Sequence, residues 1–256
     1  MIEVRTIRNH EAEPFLELLC DVFGLDYQRA YDVFFSEPLF DLHRKWALFD
    51  GAEMVSILTT TPLRFGWGRA FGIAGVATRQ ARQREGYASK LLQHVLREGR
   101  ERGESAALLF AREPSVYERN GFEPIDQVIR SRIKTSPEHD DPIVEPEEAE
   151  LIYDAWAALD PNRLRRDVKR WEYWRWNFRV TTEFDGGYLC HEPGNLRECI
   201  FTPHHDALPL PEDTEWFGLA SMAAHFAIPL VDPVPELTLM GYQVPDVPQM
   251  FMTDQF

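Results

Sequence analysis

The chain has 256 residues, 44% of them hydrophobic and 12% aromatic, enough apolar material for a packed core and too much for disorder. Lys and Arg number 27 against 42 Asp and Glu, a formal net charge of −15 that argues against nucleic acid and anionic lipid as partners. No run of about 18 apolar residues is present to span a membrane as a helix, and three cysteines (Cys20, Cys190, Cys199) are an odd, sparse set unlike a disulfide framework.

Met1 to Arg5 alternates like a strand, read here as residues 2–8, and lacks the apolar stretch of a secretory signal, so a reducing cytoplasm is the expected compartment. Asn9 offers a helix N-cap, and Phe15, Leu18, Leu19, Val22 and Phe23 recur at helical spacing up to Gly24. A second helix is expected from Asp26 to Ser36, stopped by Glu37-Pro38. Lys45 to Phe49 and Met54 to Thr60 flank Asp50-Gly51, a strong hairpin signal. A strand over residues 70–77 precedes a helix that begins near Gly86 and ends at Gly103. Ser105 to Phe110 has the length of a strand, Pro114 opens a short helix closed by Asn120-Gly121, and residues 125–134 alternate as a further strand. This order predicts an α/β domain at 1–134, a mixed central sheet with flanking helices.

After Lys134 the composition changes. Residues 135–150 hold Pro137, Pro142 and Pro146 among many acids and no Lys or Arg, and read as a linker. Helices are expected at 147–159 and at 163–178, the latter rich in Arg and Trp, followed by a hairpin at 187–201 around Pro193-Gly194-Asn195. The remainder is Pro-rich and loosely patterned. Residues 151–256 are therefore expected to form a smaller C-terminal α+β domain.

Chemistry concentrates between Gly72 and Leu92. A strand (Gly72 to Thr78) runs into a basic loop with Arg79, Arg82 and Arg84, and the loop runs directly into a helix at Gly86. The first N–H groups of a helix have no internal partner and lie at the positive end of its dipole, and small residues let an anion approach them. The segment is thus a candidate anion site, with an ordinary loop of solvated arginines as the alternative. It is neither a Walker A loop nor G-x-G-x-x-G, and no G-x-S-x-G elbow occurs.

Gln83-Arg84-Glu85-Gly86-Tyr87-Ala88 matches the Q/R-x-x-G-x-G/A motif of the GNAT superfamily of acetyltransferases, and Val116-Tyr117-Glu118-Arg119-Asn120-Gly121-Phe122 resembles its second landmark. More narrowly, Phe110 to Phe122 is similar to the corresponding stretch of the Eis (enhanced intracellular survival) type of acetyltransferase. The resemblance covers residues 1–134 well. It implies a GNAT-like fold, acetyl-CoA as co-substrate, direct acetyl transfer to a primary amine, and a C-terminal domain that is a degenerate half of the same fold. It further implies that Val76 and Thr78 offer backbone groups to the pantetheine arm. Gln83, Arg84, Glu85, Gly86, Tyr87, Ala88 and Ser89 would hold the pyrophosphate, with Glu85 taking part only through its N–H and Ser89 adding its hydroxyl.

Tyr117 occupies the place of the acid that protonates the leaving thiolate, with plain aromatic packing as the alternative. No carboxylate lies between Phe71 and Thr78 to act as base. The Eis-type resemblance implies the carboxylate of the last residue, Phe256, with a water chain as the alternative. The acidic whole favours a small cationic amine as acceptor, and a homo-oligomer stays open. A non-catalytic acyl-CoA-binding or interaction module with a relic GNAT domain is the rival reading.

Two further clusters suggest other partners. Residues 163–179 interleave seven basic residues with Trp171, Tyr173, Trp174, Trp176 and Phe178, which favours a junction-plugging amphipathic helix over nucleic-acid stacking. Cys190, His191, Cys199, His204 and His205 lack C-x-x-C or H-x-x-x-H spacing, so no metal is expected.

Overall fold

The computed structural model describes residues 1–137, 141–177 and 180–256. Residues 138–140 of the expected linker, and Phe178 and Arg179 of the Trp-rich segment, lie outside the described residues. The first half runs β1 (Ile2–Thr6), α1 (Ala12–Phe23), α2 (Tyr27–Ser36), β2 (Lys45–Asp50), β3 (Glu53–Phe65), β4 (Gly68–Thr78), α3 (Tyr87–Glu101), β5 (Ala106–Ala111), α4 (Ser115–Glu118) and β6 (Glu123–Ile133). The second half follows with β7 (Thr135–Ser136), α5 (Pro146–Ala158), α6 (Val168–Asn177), β8 (Val180–Phe184), β9 (Gly187–Glu192), β10 (Asn195–Ile200), β11 (Leu208–Pro209), β12 (Glu215–Leu219), α7 (Ala220–His225) and β13 (Leu230–Tyr242).

Local signals decide most boundaries in the first half. Gly24 stops α1 in the left-handed conformation at φ 66°, and the Asp26 side chain caps α2 by accepting from Arg29 N at 2.8 Å. Gly51 turns the β2–β3 hairpin at φ 62°. Asn9 opens a short 3-10 turn instead of α1 itself, because Glu11 is held by Arg5 and by the Arg8 N–H. Residues 163–167 are not helical as expected. Leu164 N bonds Gln249 O at 3.0 Å in an extended bridge, and Asp167 instead caps α6 by accepting from Arg170 N at 3.0 Å.

One 11-stranded mixed sheet runs through the molecule in the order β1-β2-β3-β4-β5-β13-β6-β12-β10-β9-β8. β13 lies antiparallel between β5 and β6, so a strand from the second half completes the sheet of the first. The sheet therefore crosses the boundary expected at residue 134. Alternation along β2 to β4 sends Ala47, Phe49, Ile57 and Ala77 under α1 and α2, and Trp46, Leu48, Leu58, Phe71 and Ile73 under α3. A third apolar cluster joins Leu63, Phe65 and Leu108 to Trp156, Trp171, Trp174 and Trp216, which ties the halves together. Among the described residues, no helix is long and apolar enough to cross a membrane.

Candidate active site

β4 is where the sheet opens. It pairs with parallel β5 only from Ala70–Ala106 to Ile73–Leu109, after which the two strands part while β4 continues to Thr78. On its other edge β4 carries a bulge: Ile57 faces Ala77 but Thr59 faces Ala74, so three steps of β4 match two of β3. Gly75 supplies the extra residue at φ 60°, and a Cβ there would press on Leu19 at 2.9 Å. The bulge re-aims the main chain of Gly75 and Val76 at the point where the fork begins.

The loop that leaves β4 points a row of free N–H groups outward. Arg84 and Gly86 both take positive φ, 67° and 81°, and Gly86 is the N-cap of α3 with no side-chain cap. The first capped contact inside the helix is Lys90 N to Gly86 O at 3.1 Å, which leaves the amides of Arg84 to Ser89 without main-chain partners among the described residues. Space is open where a Gly86 Cβ would stand. Such a concavity of amides at a helix N-terminus suits a phosphate in shape and sign.

The side chains around it depart from the expected basic mouth. Arg82 is consumed by Asp50 at 3.0 Å, Glu53 at 3.0 Å, Glu85 and the Tyr87 hydroxyl, and its bonds to Glu85 and Asp50 raise its pKa further. Arg79 donates to Met54 O at 2.7 Å and stands 3.6 Å from Glu53. Of the three arginines only Arg84 is exposed and unpaired among the described residues. The same network draws the Glu85 carboxylate away, leaving its N–H to the concavity. Ser89 donates its hydroxyl proton to Asn120 Oδ1 at 2.6 Å, and Gln83 Nε2 donates to Thr78 O at 3.3 Å. Gln83 and Ser89 therefore brace the loop, and the Thr78 carbonyl is already engaged.

Val76 and Tyr117 pack on the same apolar cluster as α3. Tyr117 meets Phe122 edge-on at 6.3 Å, burial raises its pKa, and its hydroxyl has no hydrogen-bond partner among the described residues.

Phe256 is elsewhere: its ring lies on the bare backbone of Gly72, where any Cβ would collide with it, and stacks on Phe110 at 5.2 Å and 28°. Tyr117 and Phe256 are thus not brought side by side. Phe256 belongs to a cleft of about 560 Å³ on the α1–α2 face, bounded also by Leu16, Val33, Phe34, Thr61 and Gly75.

Four charged residues line this cleft and balance: Asp26, Arg29, Glu37 and Lys45. In the sequence Glu37 and Lys45 mark only the ends of elements, although the alternation of Lys45-Trp46-Ala47 places Lys45 on the cleft face. Lys45 is 4% exposed, sits over the rings of Phe34 and Phe40 at 4.7 and 5.5 Å, and reaches Glu37 at 3.4 Å. Burial lowers its pKa, and Glu37 offsets part of that. No group of three or more His, Cys, Asp or Glu residues placed to hold a metal occurs among the described residues.

A fork in the sheet, an amide concavity at its exit and a cleft on the opposite face form one continuous arrangement around β4. Residues 3–125 match the family model described as an acetyltransferase (GNAT) domain. Over those residues the chain is similar to GNAT acetyltransferases. Solved structures with a similar fold include a GCN5-related N-acetyltransferase from Kribbella flavida, with a TM-score of 0.72 at 14% identity, covering 94% of this chain and 71% of that one. Eis1 from Mycobacterium abscessus superposes with a TM-score of 0.61 at 15% identity, covering 93% and 73%. A GCN5-related N-acetyltransferase from Anabaena variabilis gives 0.65 at 14%, covering 94% and 72%. No curated protein sequence matches the chain. The likeness to these structures extends over both halves, well past the end of the matched GNAT domain.

Proposed function

We propose that the GNAT domain transfers an acetyl group from acetyl-CoA directly to the primary amine of a small molecule that is cationic in water. The observation that carries this reading is the fork between β4 and β5, which opens beside the amide concavity of Arg84 to Ser89. The pyrophosphate rests on those amides, and the pantetheine arm extends the freed edge of β4 past Val76. The thioester then lies between the α3 face, with Tyr117, and the acceptor cleft. The neutral amine attacks the carbonyl carbon, so a C–N bond forms as the C–S bond breaks. Main-chain N–H groups near the Gly75–Val76 bulge stabilise the oxyanion. Tyr117 protonates the departing thiolate, and the second proton, shed by the attacking nitrogen as the amide forms, restores the tyrosine hydroxyl. An alkylammonium has a pKa near about 10.4 and must lose a proton first. That proton leaves through water in the cleft, beside the Phe256 ring seated on Gly72.

Thermal unfolding with and without acetyl-CoA tests the reading. At 100 times its dissociation constant a ligand stabilises by about 2.7 kcal/mol, visible as a rise in Tm. Wild type should shift and Gly86→Glu should not, because the carboxylate enters the concavity at a position whose φ also disfavours any side chain. No shift at saturating acetyl-CoA would leave the fold without this activity.

A further inference from the structure

Phe256 sits in a cleft of the first half but is held by the second. The chain before it is pinned by Gln249 N to Asn162 O at 2.8 Å, and then by Met250, Phe251 and Met252, all buried. A single 3-10 turn, Met252–Asp254, ends at a carboxylate that is 2% exposed. Asp254 accepts from Arg166 Nε at 2.9 Å and Nη2 at 2.8 Å, and Arg166 turns its other edge to Glu198. Thr253, Tyr188 and Trp174 complete Glu198. Arg170 donates both to the Asp254 carbonyl at 3.3 Å and to Pro62 O of β3 at 2.9 Å. The neighbour of Pro62, Thr61, lines the cleft.

Two arginines and two carboxylates are thus buried together at zero net charge. Such clusters are weak devices for stability, because desolvation of each charge offsets their attraction, but they fix geometry. The geometry fixed here is that of the last residues: one residue, Gln255, separates Asp254 from Phe256. Phe256 in turn closes the apolar side of the cleft at the last paired rungs of β4 and β5, Gly72–Leu108 and Ile73–Leu109.

We propose that Arg166, Arg170, Glu198 and Asp254 are positioning residues that fix the Phe256 ring as a wall of the acceptor cleft, so that the second half selects amines with an apolar body. The inference rests on the acetyltransferase reading. Its test is steady-state acetyl transfer to ethylamine, butylamine and phenethylamine by the full chain, with Phe256→Ala, Asp254→Asn and the double variant.

KM should fall from ethylamine to phenethylamine in the wild type. Phe256→Ala should raise the phenethylamine KM about tenfold, as loss of apolar contact in a substrate pocket does, with the KM for acetyl-CoA within twofold. Asp254→Asn should act in the same direction, and the double variant should be no worse than the larger single one. Phe256→Leu should recover most of the loss. Should Asp254→Asn lack a cooperative melt, Gln255→Gly loosens the tether with the charges intact and should also raise the phenethylamine KM.

A folded Asp254→Asn or Gln255→Gly with wild-type amine KM values overturns the inference, as does full additivity in the double variant. Failure of the underlying reading looks different: the wild type would then turn over none of the three amines.

Discussion

The amide concavity and the cleft on the α1–α2 face are built on opposite principles. The concavity comes from six consecutive residues, Arg84 to Ser89, and offers main chain; its neighbouring side chains are mostly spoken for by Asp50, Glu53 and Asn120. The cleft is assembled from α1, α2, β2, β3, β4, α6 and the last two residues, and offers side chains. A grip made of backbone is indifferent to most substitutions and fails where the backbone itself is blocked. A cleft made of side chains from distant segments can change its lining while the concavity stays as it is.

The largest expected effect separates the two regions by destroying one support. Arg166→Met leaves Glu198 buried without its cation and Asp254 with Arg170 alone, and should cost about 3–5 kcal/mol in chemical denaturation. In conditions where the variant stays folded, acetyl-CoA should still raise its Tm. Loss of cofactor binding together with the acceptor site would break the comparison.

Tyr117→Phe tests the α3 side of the fork. The rate of transfer should drop about a hundredfold, the lower range for a lost general acid, with acetyl-CoA binding unchanged. An unaltered kcat would reduce Tyr117 to its packing against Phe122. Arg84→Ser sharpens the claim that the grip is main chain: removing the one loop arginine without a partner among the described residues should weaken acetyl-CoA by about 1 kcal/mol, as for an exposed ion pair. A loss as complete as that from Gly86→Glu would place the grip in side chains after all.

The smallest effect is a control remote from both regions. Glu11 accepts two bonds from Arg5 at 2.7 Å and one from Arg8 N, which bring its pKa from 4.5 down to about 2. A carboxyl depressed on folding contributes above its unfolded pKa and loses that contribution as pH falls through about 2. Glu11→Gln should therefore cost about 1 kcal/mol at pH 7 in urea unfolding, converge with wild type near the acid limit, and leave both acetyl-CoA and amine KM values alone.

How much could be read beforehand follows the same division. The concavity was legible because its signal is local: a strand, a loop and a helix start within twenty residues, with Gly86 where a left-handed cap is needed. The occupancy of Arg79 and Arg82 was not, since Asp50 and Glu53 come from the preceding hairpin. The cleft was illegible as a unit, because Lys45, Glu37 and Gly72 acquire meaning only when Phe256 folds back over them. β13 was missed for a nearer reason. Pro233 and Pro235 argue against a central strand, yet they sit at register shifts between Val231 and Val234 and between Pro235 and Leu237, where no ladder donor is required.

The place of β13 also governs how the chain comes into being. Strand β5 emerges from the ribosome more than a hundred residues before the partner that covers its free edge, and β6 waits almost as long. Until residues 230–242 arrive, two apolar edges stand open in the middle of the future sheet, the situation in which nascent chains pair with one another. Synthesis of this protein thus carries a late closing step, and its long-range strand pairing marks it as a slow folder that gains from chaperone cover during translation.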